Sequence, residues 1–220
     1  MTTIIGAVPV RACALAMALL GASAPASAQN AASREPPLRI AASSFATVEV
    51  HLNSRPIGGR WYAEDAGFTG PARVAITYGQ PHARGRTVEG GLIPRDTVWR
   101  FGANAATALH TDVDLVLGDS ARGGLQVPRG DYTLFILYGK AGAQLIVNRQ
   151  TGQWGTDYDA ARDLGRLPLA TRRLAEREET LTIHLVPESA RPAQGDAELR
   201  GQLRIRWGQT EWSAPWSVRR

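Results

Sequence analysis

Apolar and polar side chains alternate with a two-residue period along most of this chain, and this feature constrains the fold more than any other. In residues 47–53, Val48, Val50 and Leu52 alternate with polar neighbours, and in 72–78 Val74, Ile76 and Tyr78 do the same. Successive side chains of a strand point to opposite faces, so each such segment has one face for a core and one for water. Residues 97–101 form a short aromatic run. Residues 108–117 read as a single strand with Leu109, Val113, Leu115 and Leu117 on one face. Residues 131–138 (DYTLFILY) are apolar on both faces, as a central covered strand would be. Residues 144–149, 181–186 and 202–207 complete the set. A weaker last strand near 212–218 is interrupted by Pro215.

Turn residues punctuate these runs: Gly58-Gly59, Gly90-Gly91, Gly123-Gly124, Pro128-Arg129-Gly130, 139–142 and Gly195-Asp196. Short strands so separated predict an all-β fold, a single antiparallel β-sandwich of jelly-roll type. One helix-like stretch, 159–177, is broken by Gly165 and Pro168, which predicts a short helical or irregular excursion. The expected core includes Val74, Ile76, Leu134, Phe135, Ile136, Ile146, Ile183 and Ile205.

The N-terminus follows a different logic. Arg11 precedes an apolar run over 13–22, and Ala26-Ser27-Ala28 then fits a small-residue cleavage site, as Ala22-Ser23-Ala24 also does. The run is too short to span a bilayer. Residues 1–28 are therefore expected to be a cleaved signal peptide, 29–40 a flexible leader stiffened by Pro36-Pro37, and 41–220 the β-sandwich domain. The expected location is periplasmic or secreted. Cys13 starts the apolar run instead of following it, which argues against a lipoprotein. No other apolar stretch is long enough for a transmembrane segment.

Export would remove Cys13, Met1 and Met17, all the sulfur in the chain. That excludes disulfides, a thiolate nucleophile, Cys-ligated zinc, iron–sulfur clusters and c-type haem attachment. Lys140 is the single lysine and lies in a turn, a poor place to desolvate an amine for Schiff-base chemistry. The net charge of +5 is spread among interspersed acids, without the basic stripe and aromatics of a nucleic-acid surface. No cofactor motif is present. Gly118-Asp119-Ser120 lacks the glycine a serine elbow needs, because Arg122 stands there.

His110, Asp112 and Asp114 fall on one face of a strand and are metal-ligand types. Their face is opposite the apolar one, and same-face neighbours are about 7 Å apart, so a solvated polar face is expected and no metal. His51, His82 and His184 stand apart, with His82 expected on the surface.

The string YGQPHARGRTVEGGLIPRDTVWRFGANAAT (78–107) resembles the signature of a family of secreted bacterial proteins, domain of unknown function (DUF) 2911. The matching positions include Tyr78, Pro81, Gly85, Arg86, Gly91, Leu92, Pro94, Val98, Trp99, Arg100, Gly102, Ala103, Asn104, Ala106 and Thr107. LQVPRGDYTLFIL and IVNRQTGQWG, with Asn148, Gln153, Trp154 and Gly155, resemble further family motifs. The resemblance implies an exported β-rich domain and no mechanism.

Within this string, Arg100 and Asn104 would bring a guanidinium fork and an amide to one end of a sheet, donors suited to a carboxylate, a phosphate or sugar hydroxyls. Arg86, Trp99, Thr107 and Trp154 are the companion candidates for ligand binding. The structural alternative makes Arg100 a clamp on carbonyls or an acid, Asn104 a left-handed turn residue and Trp99 core. Trp207 is expected in the core, and Trp212, Trp216 and Tyr158 are either core anchors or sugar-stacking surfaces.

With no nucleophile–base pair recognisable, the expected function is a non-catalytic binding or accessory module for a small molecule, glycan or peptide. The alternative is a hydrolase-type enzyme with an Arg/Asn/His/Asp pocket.

Overall fold

The computed structural model describes residues 38–52, 72–188 and 199–219. The expected signal peptide, most of the leader and the turns at Gly58-Gly59 and Gly195-Asp196 lie outside them.

The fold is all-β. Ten strands follow one another: β1 (Ser43–Leu52), β2 (Ala72–Pro81), β3 (Val98–Arg100), β4 (Thr107–Thr111), β5 (Leu115–Leu117), β6 (Leu125–Val127), β7 (Gly130–Gly139), β8 (Gly142–Asn148), β9 (Asp163–Pro187) and β10 (Arg200–Val218). They form one antiparallel sheet in the order β1-β2-β4-β7-β8-β9-β10-β5-β6, with β3 added to β7 beside β4. The sheet does not close among the described residues.

The two layers of the expected sandwich are halves of this single sheet. The first part of β9, Asp163–Leu169, pairs with β8, and Ala170–Pro187 pairs with β10. β10 in turn passes from β9 to β5. The register between β9 and β10 breaks around Gly208, whose φ of +62° is one that a side chain rarely adopts. Folding over in this way brings Val74, Ile76, Leu109 and Leu134 opposite Leu115, Leu117, Leu185, Leu203 and Trp216. All eight expected core residues are buried. Trp207, Trp212 and Trp216 are also buried, so these three indoles are core anchors.

Three segments differ from the sequence expectation. The helix-like stretch holds only a 3₁₀ turn, Ala160–Arg162, and from Asp163 onward it is strand. Leu167 and Leu169 face the core while Arg166, Pro168 and Ala170 are exposed, an alternation that the mixed charges downstream obscure. Residues 108–117 are two strands, because the chain leaves β4 at Thr111 and crosses to the other half of the sheet before β5. Pro215 interrupts nothing. It falls between the stretch of β10 paired with β9 and the stretch paired with β5, where no ladder bond needs its missing N–H, and its carbonyl accepts from Gly118.

Residues 82–97 plug one end of the core. Ala83, Val88 and Ile93 are fully buried there. The peptide nitrogen of Ala83 donates to Glu179, and the Arg177 guanidinium donates to the carbonyl of Arg86.

Candidate functional site

The outer face of β3, β4, β7 and β8 is crossed by a loop, 149–158, that acts as a strap. Asn148 anchors its base: the side-chain amide donates to Asp159 O and Asp163 Oδ1, and its oxygen accepts from Gln150 N. Thr133 on β7 holds the middle, donating to Gln150 O and accepting from Gln153 Nε2. The strap then bonds the turn after β3, through Ala106 N to Gln153 O and Gly155 N to Asn104 O. Beneath it lies a small second core of Ala106, Phe135 and Ile146, closed by Tyr158, whose ring centroid is 4.9 Å from that of Phe135. Burial, then the bond to Asp163, push the Tyr158 hydroxyl up to about 12, so it remains a donor. Phe135 is thus core, but of this outer cluster.

Arg100 emerges from β3 under the strap. A Cβ on Gly155 would lie 2.1 Å from Arg100 Cδ, so only glycine lets the loop rest on the arginine stem. Arg100 Nε is buried and has no partner. No hydrogen bond or ion pair from the described residues reaches the guanidinium. The residue as a whole is half-buried. Arg206, the other half-buried arginine among the described residues, bonds Glu211 and pairs with Glu178. Trp154, paired to Ala105 across the strap, has 55% of its surface exposed.

The remaining candidates go elsewhere. Asn104 has φ +64°, as the structural alternative required; its amide donates to Ser43 Oγ and its carbonyl holds Gly155. Thr107 is fully buried and donates to Phe101 O. Trp99 turns to the inner face and stacks on Trp207 with centroids 5.7 Å apart. Arg86 clamps the carbonyls of Ala83 and His82, in the plug. Of the six, Arg100 and Trp154 keep surface that is not committed to the core, Arg100 beneath Gly155 of the strap and Trp154 on the residue before it, and Asn104 supports the turn beside them.

Sequence spacing did not reveal the second feature of this face. His110 Nδ1 lies 2.8 Å from Asp131 Oδ1 and its Nε2 lies 3.1 Å from Asp112 Oδ1. Asp112 Oδ2 accepts from Arg73 N. The bond to Asp131 holds the imidazole above its ordinary value of 6.5, and the Arg73 N–H keeps the Asp112 carboxyl below its own. Asp114 takes no part: it caps Arg129 N on the far side of the crossing. Asp131 comes from the neighbouring strand, directly opposite His110 in the β4–β7 register, which no local motif could disclose. Among the described residues no cluster of three or more such groups is placed to hold a metal. His82 bonds Thr180, and His51 pairs with Glu49.

The family model described as Protein of unknown function (DUF2911) matches residues 64–215, and the chain belongs to that family. No curated protein and no solved structure matches it.

Proposed function

We propose that this DUF2911 protein is an exported, periplasmic or secreted, non-catalytic binding module whose ligand presents a carboxylate or phosphate to Arg100 and a flat or apolar face to Trp154. The observation that carries this reading is the half-buried guanidinium without an acid or carbonyl partner. A cation placed so gains most from a bidentate anion, because the stem is already fixed and little freedom is left to lose. The exposed indole of Trp154, the residue before Gly155, adds a surface on which a ring can stack. A binding role also accords with the surroundings. Both nitrogens of His110 are occupied by carboxylates, and among the described residues no hydroxyl is hydrogen-bonded to it.

The test is a thermal-shift screen of the domain from residue 29 onward against sugar acids, sugar phosphates, nucleotides and acidic peptides, with Arg100→Ala and Trp154→Ala in parallel. An anionic ligand should raise the melting temperature of the wild type and leave that of Arg100→Ala unchanged. A ligand that stabilises both equally, or one whose neutral analogue works as well, would contradict the proposal.

A further inference from the structure

On the other side of the strap from Arg100 lies a pocket of about 380 Å³, near the small end of ligand-site volumes. Its floor is made of small side chains on the outer face of the sheet, Thr77, Ala108 and Thr133. The turn after β3 forms one wall. It packs onto Gly79, where a Cβ would lie 1.9 Å from Ala103 O. Gly152 and Gln153 of the strap form a second wall, and Phe45 on β1 a third. Phe45 has 67% of its surface exposed, although it stands on a strand whose Ala46, Val48 and Val50 pack on the core.

The open edge carries the only charged side chains of the lining, His110 and Asp131. Asp131 Oδ1 faces His110, which leaves Oδ2 without a partner on a side chain that is 70% exposed. Behind it the chain of bonds is continuous: Arg73 N–H to Asp112, Asp112 to His110, His110 to Asp131. The Asp131 carboxylate is therefore held from behind through Oδ1, with Oδ2 left unpartnered on a residue that lines the pocket. Among the described residues no arginine or lysine lines the cavity, and its one carboxylate already bonds the His110 ring, so nothing in the lining is built to hold an anion.

We propose that this pocket is a second binding site, for one ring of a neutral carbohydrate, with Phe45 as the stacking platform and Asp131 Oδ2 as the acceptor for ring hydroxyls. Sugars combine an apolar C–H face with a rim of hydroxyl donors, the complement of one exposed aromatic ring and one oriented carboxylate. His110 is a positioning residue. The site is independent of Arg100 and stands or falls separately.

The experiment is a titration of the ¹⁵N-labelled domain with the methyl glycosides of glucose, galactose, mannose and N-acetylglucosamine, followed by amide shifts. Such small ligands bind on the order of millimolar. At least one glycoside should shift the amides of Phe45, Ala108, Thr133 and Gly152 saturably. Phe45→Ala and Asp131→Asn, both at exposed side chains, should each weaken it about tenfold, or about 1.4 kcal/mol. The proposal is overturned if no glycoside saturates these shifts, if either variant binds as the wild type does, or if tetramethylammonium occupies the pocket more tightly than any glycoside.

Discussion

Replacing Arg100 by alanine separates a waiting cation from a structural clamp, and the geometry sets the size of the effect. The change removes the stem methylenes Cγ and Cδ, of which Cδ lies against Gly155, 2.1 Å from where its Cβ would be. At about 0.8 kcal/mol per buried methylene, two of them lose roughly 1–2 kcal/mol. Against this stands the buried Nε–H without an acceptor, a group whose desolvation costs about 1–3 kcal/mol and which the alanine no longer carries. The two nearly cancel, so urea titration should find Arg100→Ala within about 1 kcal/mol of the wild type. A buried, paired arginine would instead lose about 3–5 kcal/mol. Gly155→Ala provides the internal control. Its new Cβ meets Arg100 Cδ and also Asn104 O at 2.7 Å, an overpacking that costs about 1–3 kcal/mol. In the Arg100→Ala background the contact with Cδ is gone, while those with the backbone oxygen and the Cβ of residue 100 remain. The penalty should therefore shrink without vanishing, a coupling on the order of 1 kcal/mol. A loss above about 3 kcal/mol for Arg100→Ala, or no coupling in the cycle, would refute the account of this side chain.

Other perturbations test the remaining structure. Phe135→Ala empties the cluster under the strap and should lose roughly 3–5 kcal/mol in denaturant titration; a loss below about 1 kcal/mol would mean that the strap is not packed there. The His110 imidazole should titrate above 6.5 by NMR, and Asp131→Asn should bring it down. Its folded value is raised, so its stabilisation is complete below the unfolded value and is lost as pH rises through the folded one. Wild type should accordingly lose stability relative to His110→Gln over that window, and an opposite slope would contradict the pairing. N-terminal sequencing of protein from the periplasm or medium should begin near Gln29, whereas intact Met1 protein confined to the cytoplasm would exclude export.

The strands were legible because their period is local. Val74 and Ile76, Leu181 and Ile183, or Leu203 and Ile205 alternate within a few residues, and all are buried. The misread segments were those whose pairing changes along their length. Residues 108–117 look like one strand, but Thr111 ends its pairing with β2 and β7, and Leu115 begins another with β10 and β6. The first part of β9 was hidden because Leu167 and Leu169 are separated from the strand legible at 181–186 by a long charged stretch that bulges opposite Gly208. The candidate site divides in the same way. Arg100 and Trp154 stand out in sequence as donor and aromatic chemistry, and the strap sets Gly155, the residue after Trp154, on the Arg100 stem. Arg86, Thr107 and Asn104 sit in the same family-like string, yet they satisfy carbonyls, a buried turn and a left-handed backbone. The His110–Asp131 pair depends on cross-strand register, which residue spacing within one segment cannot encode.

The most direct test of the binding role reads the Arg100 guanidinium itself. Its ¹⁵Nε–¹Hε signal, assigned by its loss in Arg100→Ala, can be followed as an anionic ligand from the thermal-shift screen is added. The account predicts that this signal and the Trp154 indole signal shift together and saturate with one affinity. If both stay in place while such a ligand stabilises the protein, the ligand binds elsewhere and Arg100 is not its receptor.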